Sequence, residues 1–181
     1  MRKAALVARR SLDDAQRISA SAKICDRIIH SHEFRAARTI ACYLPMAEEI
    51  DPTQVIERAW RANKRVFVPV IDTHGAMSFC EVTPETVVMR NYYGIFEPPS
   101  GVLIDEKRLD LVITPVVAFD DRNNRIGMGG GYYDRCFHFL KMRRKWLKPK
   151  LIGVAFACQK VKKITPNSWD IPLYRVVTES S

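Results

Sequence analysis

The sequence lacks a hydrophobic run long enough to cross a membrane. No apolar stretch among the 181 residues reaches the roughly 18 residues that a transmembrane helix needs. Internal repeats, low-complexity tracts and linkers that would separate two domains are absent as well. With 47% hydrophobic and 27% charged residues, the chain has the composition of a globular protein. We therefore expect one globular domain over residues 1–181, not attached to a membrane.

Patterns for metal ligands and protein nucleophiles are also scarce. The histidines and cysteines are His30, His32, His74, His138, Cys25, Cys42, Cys80, Cys136 and Cys158. No histidine has a zinc-ligand spacing with a cysteine, and no Ser-His-Asp or Cys-His arrangement follows from sequence distance alone. The cysteines are odd in number, scattered and mostly flanked by apolar residues. They predict reduced core thiols in a cytoplasmic protein.

Acidic residues are missing from two short basic stretches, and these stretches account for the net charge of +9. Residues 1–10 contribute +4 and residues 141–150 contribute +6, so the rest of the chain is nearly neutral. Such patches attract polyanions, including nucleotides and RNA. The alternative for residues 141–150 is the solvated end of a helix, whose dipole favours cations at its C-terminus. The early acids Asp13, Asp14 and Asp26 favour a structured N-terminal helix over a transit peptide.

Helix and strand patterns alternate along the chain. Apolar residues at helical spacing predict a helix over Leu12–His32, and Asp51-Pro52 is a favourable start for a helix that ends near Asn63. Another helix is expected from about Tyr133 to Arg144. Strands are predicted over Thr39–Leu44, Arg65–Ile71, Met77–Val82, Asp110–Asp120, Leu151–Ala157 and Tyr174–Thr178. The alternation predicts an α/β fold, with an open, mostly parallel sheet covered by helices on both faces in a Rossmann-like three-layer domain.

The most informative segment is Arg125–Arg135, RIGMGGGYYDR, which places four glycines within five consecutive positions from Gly127. Glycine lets main-chain N–H groups approach an anion, so the segment is typical of a backbone wrapped around a phosphate, and a helix starting after it would add its dipole. Asp134 could then bind magnesium, and the two arginines could bind phosphate oxygens. The spacing matches neither the P-loop nor the GxGxxG dinucleotide fingerprint, and a glycine-rich hairpin turn is the alternative.

Two polar clusters follow predicted strands on their carboxyl side, where open α/β sheets bind ligands. The glycine segment follows the apolar stretch Asp110–Asp120, which predicts a buried strand that turns or kinks at Pro115. Glu48, Glu49 and Asp51 come between a strand and a capped helix. These carboxylates are placed to meet a ligand, and a simple capping role for Asp51 is the alternative.

Four segments resemble the 5-formyltetrahydrofolate cyclo-ligase family, also called 5,10-methenyltetrahydrofolate synthetase. They are LPMAEEID at Leu44–Asp51, GIFEPP at Gly94–Pro99, TPVVAFDDRNNRIGMGGGYYDR at Thr114–Arg135 and IPLYRVVTES at Ile171–Ser180. The segments come in the family's order, and the glycine-tyrosine-tyrosine-aspartate block is the most specific. The resemblance implies conversion of 5-formyltetrahydrofolate to 5,10-methenyltetrahydrofolate with MgATP, releasing ADP and phosphate. In this chemistry the protein would position the substrates, bind the metal and neutralise charge, without supplying a nucleophile.

The resemblance also implies which residues bind the nucleotide and the metal. Asp134 would bind Mg²⁺, and Arg2 falls where an N-terminal arginine of the family reaches ATP. The implied ATP-binding residues are Arg2, Arg125, Ile126, Gly127, Met128, Gly129, Gly130, Gly131, Tyr132 and Tyr133.

The same resemblance implies a folate side of the site. Met46, Glu49 and Asp51 would border the pterin, and the two carboxylates can accept hydrogen bonds from its N–H groups. Tyr132 would lie near the reacting formyl group. Tyr132 and Arg125 are therefore the implied catalytic residues.

Three positions depart from the family pattern. Some relatives have a lysine at the position of Gly130 and an arginine at the position of Met128, and an aspartate that can join the metal site is replaced by Tyr174. The loop backbone or a neighbouring arginine would then hold the phosphates. Asp170, Glu179 or water would complete the metal shell. ATP affinity is the property that these changes affect.

The expected partner is 5-formyltetrahydrofolate, with or without a polyglutamate tail, bound by a monomer. The basic stretch Lys141–Lys150 is our candidate for the tail. The alternative function is a catalytically weakened scaffold that binds RNA or another polyanion through the basic patches. Trp146 is the only aromatic residue in that stretch, whereas single-strand binders stack bases on several rings. Nucleic acid is therefore the less favoured partner.

Overall fold

Seven strands form one sheet in the computed structural model, which describes residues 1–91, 94–143 and 148–181. The helices are α1 (Arg2–Arg10), α2 (Asp14–Ile29), α3 (His32–Ala36), α4 (Thr53–Arg61) and α5 (Tyr132–Cys136). The strands are β1 (Thr39–Ala41), β2 (Arg65–Ile71), β3 (Met77–Val82), β4 (Met89–Arg90), β5 (Phe96–Glu97), β6 (Leu103–Ile104), β7 (Leu111–Pro115), β8 (Ala118–Phe119), β9 (Arg125–Ile126), β10 (Lys150–Val154) and β11 (Arg175–Val177). Short 3₁₀ helices cover Glu106–Arg108, His138–Met142 and Ala157–Gln159.

The sheet is parallel except at one edge. Its strand order is β11-β10-β7-β1-β2-β3-β6, and the first five of these strands pair in parallel. The turn between β2 and β3 is too short for the crossover that a parallel pair requires, so β3 returns antiparallel, as does β6 beside it. Asp72 closes that turn by accepting hydrogen bonds from the His74 and Ala76 N–H groups. The predicted open, mostly parallel α/β sheet is confirmed.

Both faces of the sheet are buried because successive side chains point to opposite sides. On one face, Ile40 and Ile113 belong to a core that also includes residues of α2, α3 and α4. On the other face, Ala41 and Val112 pack in a second core with Phe137 and residues near the C-terminus. A strand that is buried on both faces reads as a continuous apolar run, which is why the stretch around β7 was recognisable.

The predicted strand Asp110–Asp120 is two separate elements. β7 ends at Pro115, and β8 pairs antiparallel with β9 in a small ribbon outside the main sheet. The buried carboxylate of Asp120 holds the turn of this ribbon by accepting from the Arg122 and Asn124 N–H groups and from the Asn124 side chain. The glycine loop therefore follows a hairpin and does not follow the central strand directly.

The helix predicted over Tyr133–Arg144 is much shorter. α5 ends at Cys136, and a 3₁₀ helix follows over His138–Met142. Phe137, fully buried between the two, adopts a non-helical backbone conformation. The end of the prediction, Arg144, lies outside the described residues, and so does Trp146 in the basic stretch.

The N-terminal helices follow their sequence signals closely. α2 begins at Asp14 because the Asp13 carboxylate accepts from the Gln16 N–H group and the Gln16 side chain accepts in return from the Asp13 N–H group. α1 is the structured N-terminal helix that was predicted. α3 and the short edge strand β6 were not predicted, because each is too brief to show a period.

No helix among residues 1–91, 94–143 and 148–181 is long and apolar enough to span a membrane.

Candidate active site

A cleft of about 1300 Å³ lies at the carboxyl ends of three adjacent parallel strands. Tyr43 and Leu44 follow β1, Ile71 ends β2, and Val116 and Val117 follow β7, and all of them line the cleft. Ligands bind at this end of a parallel sheet because the chain diverges there and exposes loop backbone. The glycine loop, residues 127–131, forms one wall of the cleft, and the start of α1 lies beside it.

The glycine loop lines the cleft and contains main-chain donors that are unpaired among the described residues. The N–H groups of Gly129 and Gly130 have no acceptor among the described residues. Gly129 has φ of 115°, and its Cβ position would lie 3.3 Å from Nη1 of Arg2. The Arg2 side chain is fixed on the loop, because its Nε donates to the Gly127 carbonyl at 2.8 Å. Free N–H groups beside a guanidinium make an anion-binding surface.

Tyr132 and Arg135 brace the loop from the side of α5. The Tyr132 ring packs against Gly130 so closely that a Cβ there would be 2.5 Å from the ring. The Arg135 guanidinium lies 5.0 Å from the centre of the same ring and donates to the Gly130 carbonyl at 2.6 Å. α5 has only five residues, so the expected helix dipole adds little here and the loop depends on its own N–H groups and the arginines.

Arg125 and Asp134 form a buried ion pair at the base of this wall. Nη2 of Arg125 is 2.6 Å from Oδ1 of Asp134, and the Arg125 side chain is 7% exposed. The same guanidinium donates to the Ile171 carbonyl, and the Ile171 N–H group donates to Oδ1 of Asp134 at 3.0 Å. Both residues line the cleft. Two of the donors that Arg125 was predicted to offer to phosphate are therefore already used, and the pair fixes the Asp134 carboxylate.

The opposite wall carries a partly buried carboxylate. Glu49 lines the cleft with Met46, whose N–H group donates to Oε2 of Glu49 at 3.1 Å. Burial raises the pKa of Glu49 above its ordinary value, while the Met46 N–H group and the Arg9 guanidinium oppose that shift. Tyr43 and Tyr133 line the same region, and burial raises the pKa of each phenol, so both stay neutral. This wall can accept a hydrogen bond at one point in largely apolar surroundings.

Asp51 does not lie in the cleft. Its Oδ1 accepts from the Thr53 N–H group at 2.9 Å and from the Thr53 hydroxyl at 2.6 Å, at the start of α4. Helix α4 begins one residue later than expected, with Pro52 in the capping position. The capping alternative therefore describes what Asp51 does here, and the predicted contact with substrate has no geometric support from this placement.

The other predicted site residues are brought together. Those that line the cleft are Arg2, Met46, Glu49, Arg125, Ile126, Gly127, Met128, Gly129, Gly130, Gly131, Tyr132, Tyr133 and Asp134. Tyr133 differs from its neighbour Tyr132, because its ring stacks on Phe137 in the second core, with ring centres 6.4 Å apart. We therefore separate the two tyrosines: Tyr132 faces the loop, and Tyr133 supports the floor.

Two further residues that line the cleft were not predicted from the sequence. Glu97 lines the cleft from β5, where its Oε2 accepts from the Asn91 side chain at 2.9 Å and from the Ile71 N–H group at 3.4 Å. On the other side, Trp169 is 61% exposed and also lines the cleft. The segment GIFEPP was the only signal for Glu97, and a lone exposed tryptophan in a loop carries no period.

The structure distinguishes the candidates for a second acidic group near Asp134. Asp170 lines the cleft and immediately precedes Ile171, which bonds Asp134. Tyr174 and Glu179 are not among the lining residues, and the Glu179 carboxylate accepts from the Ala157 N–H group. No cluster of three or more His, Cys, Asp or Glu side chains that could hold a metal occurs in the described parts of the chain. Asp170 is thus the acidic neighbour of the Asp134 region.

Comparison with known proteins identifies the family of the chain. Residues 1–179 match the 5-formyltetrahydrofolate cyclo-ligase family. The chain belongs to the 5-formyltetrahydrofolate cyclo-ligase family. It is 36% identical over 178 residues to the 5-formyltetrahydrofolate cyclo-ligase of Escherichia coli K12, covering 95% of this chain and 94% of that protein. It is 33% identical over 175 residues to the enzyme of the same name from Haemophilus influenzae, covering 93% and 90% of the two chains.

Solved structures of relatives share the fold of this cyclo-ligase family member. The NMR structure of Aquifex aeolicus 5,10-methenyltetrahydrofolate synthetase superposes with a TM-score of 0.84 at 30% identity, covering 99% of this chain and 88% of the other. A Mycoplasma pneumoniae 5,10-methenyltetrahydrofolate synthetase superposes with a TM-score of 0.77 at 23% identity, covering 98% and 96% of the chains, which shows the fold alone. The resemblance seen in four short segments therefore extends to the whole described fold.

Proposed function

We propose that this protein converts 5-formyltetrahydrofolate to 5,10-methenyltetrahydrofolate, using ATP and Mg²⁺ and releasing ADP and phosphate. One observation carries the proposal: one cleft in a chain of the cyclo-ligase family joins a loop with free N–H donors to a wall with the partly buried carboxylate of Glu49. The loop suits a polyphosphate, and the carboxylate with its apolar surroundings suits a heterocycle with N–H donors.

The chemistry needs both ligands in one place. The formyl oxygen attacks the γ-phosphorus and displaces ADP, N10 of the same folate attacks the activated carbon and loses its proton, and the oxygen leaves as phosphate. Arg2 and the loop N–H groups would bind the triphosphate, and Glu49 would orient the pterin. Tyr132, which packs against Gly130 and lines the cleft, would face the formyl group. Catalysis then rests on positioning and on neutralising charge.

A magnesium ion fits one part of the site. Oδ1 of Asp134 is occupied by Arg125 and Ile171, but Oδ2 accepts no hydrogen bond from the described residues. Mg²⁺ is commonly held by one or two carboxylates together with nucleotide oxygens and water. Asp134, with Asp170 as its neighbour, would hold the ion in that way. When bound, the ion would neutralise charge on the transferred phosphoryl group.

The test is incubation of the purified protein with 5-formyltetrahydrofolate and MgATP while the absorbance of the conjugated methenyl product is followed. We expect product only with ATP and a divalent metal together, and none after EDTA is added or when a non-hydrolysable ATP analogue replaces ATP. Product formation without ATP, or no product under any of these conditions, would contradict the proposal.

A polyglutamylated form of the substrate is the finer proposal, with the basic stretch 141–150 as its binding surface. Its described cations already have partners within the chain: Lys141 donates to the Ser168 carbonyl, and Nζ of Lys148 is 2.7 Å from Oδ1 of Asp110. Arg143 donates to the Lys148 carbonyl, and Lys150 pairs with Glu33 at 3.8 Å. The RNA-binding alternative gains no specific observation from these contacts, and we carry it no further.

A further inference from the structure

Helix α1 contacts both sides of the cleft. Near its first residue, Arg2 is bonded to the glycine loop. Near its last, Arg9 and Arg10 both face the carboxylate of Glu48, in the turn that also carries Glu49. Between these ends, Ala5 is buried against Val117 and Ala118 behind the cleft. The helix thus bridges the nucleotide wall and the acidic wall.

The two arginines at the end of α1 differ in their surroundings. Arg10 is 63% exposed, and its Nε lies 3.1 Å from both Glu48 oxygens. The Arg9 side chain is 8% exposed, its Nη2 lies 3.6 Å from Oε2 of Glu48, and its Nε is buried without a hydrogen-bond partner. A buried guanidinium is costly unless carboxylates compensate its charge. Solvent can stabilise the charge of the exposed Arg10, whereas the charge of the buried Arg9 must be compensated within the protein.

Arg9 forms its ion pair with Glu48, and its charge also acts on the neighbouring carboxylate of Glu49. Arg9 lowers the pKa of Glu49 against the raising effect of burial, and Arg10 does not contribute to that shift. The other titratable groups that face Glu49 are the phenols of Tyr43 and Tyr133, which are neutral. Arg9 is therefore the cation that favours the ionised form of Glu49.

We propose that Arg9 is a positioning residue, whose buried guanidinium holds the turn of residues 46–49 against α1 and so fixes the Glu49 carboxylate in the cleft. It acts through Glu48 and Glu49 and does not line the cleft itself. The inference rests on the proposed function in one respect, because the turn is assigned there to the pterin. The ion pair between Arg9 and Glu48 does not depend on that assignment.

The first test is the titration of Glu49, followed by NMR with ¹³C-labelled glutamate and assigned with Glu49→Gln. In Arg9→Gln the pKa of Glu49 should rise, because the nearby positive charge is lost, and Arg9→Lys should restore most of the wild-type value. Arg10→Gln is the matched control: it should raise the pKa of Glu48 and leave that of Glu49 unchanged. An unchanged Glu49 pKa in Arg9→Gln would overturn the inference. If Arg9→Gln does not fold, the pKa of Glu49 is compared between Arg9→Met and Arg9→Lys at low denaturant. Equal Glu49 pKa values in these two variants would overturn the inference.

The second test is kinetic. Arg9→Gln should raise KM for 5-formyltetrahydrofolate several-fold and leave KM for ATP unchanged, and the excess should shrink as the pH is raised past the new pKa of Glu49. Equal increases in both KM values would mean that Arg9 only supports the fold. If the wild-type protein makes no methenyl product but Arg9→Gln raises the pKa of Glu49, the positioning role of Arg9 is supported and the proposed function is contradicted.

Discussion

At the scale of single residues, the pairing of Arg125 with Asp134 changes what each can do. The Arg125 guanidinium is 7% exposed and is bonded to a carboxylate and a carbonyl, so its main role is structural. Removing the carboxylate leaves this largely buried cation without its counter-charge, which destabilises the fold. We therefore assign Arg125 to positioning Asp134, and leave Arg2 and the loop N–H groups as the principal donors for phosphate.

The first prediction concerns Asp134→Asn. Turnover should fall strongly, because the amide loses the charge that would hold Mg²⁺. Folding stability should also fall, by about 1–3 kcal/mol, because Arg125 loses its counter-charge while the Ile171 N–H group keeps an acceptor. Turnover and urea unfolding measure the two effects.

The control for Asp134→Asn is Asp121→Asn. Asp121 pairs with Lys160 at 2.6 Å but is 76% exposed, so this change should leave both activity and stability almost unaltered. Wild-type turnover in Asp134→Asn would remove Asp134 from the metal site.

The second prediction concerns Asp120. Burial alone raises the pKa of its carboxyl, but hydrogen bonds from Asn124, Ile164 and Arg122 outweigh burial and lower the pKa below its ordinary value. The stability it contributes is therefore present above the pKa of the unfolded chain and is lost as pH falls through the folded-state pKa. Asp120→Asn should lose about 1–3 kcal/mol at neutral pH. It should also lose less stability than wild type on acidification, which urea titrations across the acid range will show; parallel pH curves would rule out this role.

At the scale of elements, the glycine loop is followed by a short helix and does not depend on a long one for its geometry. α5 has five residues, so its aligned peptide dipoles give little field at the loop. The loop is instead held by side chains at both ends, Arg2 on the Gly127 carbonyl and Arg135 on the Gly130 carbonyl. These two bonds replace the helix as the source of a fixed loop geometry and of positive charge.

The third prediction compares two glycines of the same loop. A methyl group at Gly130 would meet the Tyr132 ring at 2.5 Å, so Gly130→Ala must displace the ring or the loop backbone. A methyl group at Gly127 meets nothing within 4 Å. Calorimetry should show weaker ATP binding in Gly130→Ala, with a smaller effect on folate, and near wild-type binding of both in Gly127→Ala. Equal loss of both ligands in Gly130→Ala would indicate a general disruption of the fold.

At the scale of the whole molecule, the net charge of +9 is favourable for the two anionic ligands that we propose, ATP and the folate. The described cations of the basic stretch 141–150 are engaged with the protein's own acceptors, so they contribute a field around the site. Fields of this kind are screened within about 8 Å at physiological ionic strength. Lys141 is bonded beside Trp169 at the cleft, which places part of that charge near the ligand entrance.

The fourth prediction tests this charge with a polyglutamylated substrate. The combined change of Lys141, Arg144 and Lys145 to Gln should raise KM for the polyglutamate more than for the monoglutamate, with the difference shrinking in high salt. Arg144 and Lys145 lie outside the described residues, so the variant tests charge and not a contact.

The matched control changes Arg35, Arg58 and Arg61 to Gln, three exposed cations on α3 and α4 away from the cleft. It removes the same net charge and should affect both substrates alike. The same polyglutamate effect in the two variants would show that net charge alone acts, and that residues 141–150 hold no tail.

The class of fold could be predicted from the sequence, and a candidate site could be proposed from it, because both depend on local signals. Alternating apolar stretches predicted the parallel sheet, and apolar residues at helical spacing from Leu12 marked the start of α2 to within two residues. The glycine block identified a loop that lies at the carboxyl ends of the strands. Each of these signals is read from residues that are neighbours in the chain.

Tertiary structure alone decided which groups remain free to meet a ligand. Sequence distance could not show that Arg125 donates to both Asp134 and Ile171. It also could not show that Asp51 caps α4 outside the cleft. It could not show that Glu97 and Trp169 line the same cleft, or that Arg9 is buried beside Glu48. Burial and pairing depend on residues far apart in the chain, and they set both the charge and the availability of a side chain. For that reason, the residue types of this site were readable from the sequence, while their roles required the fold.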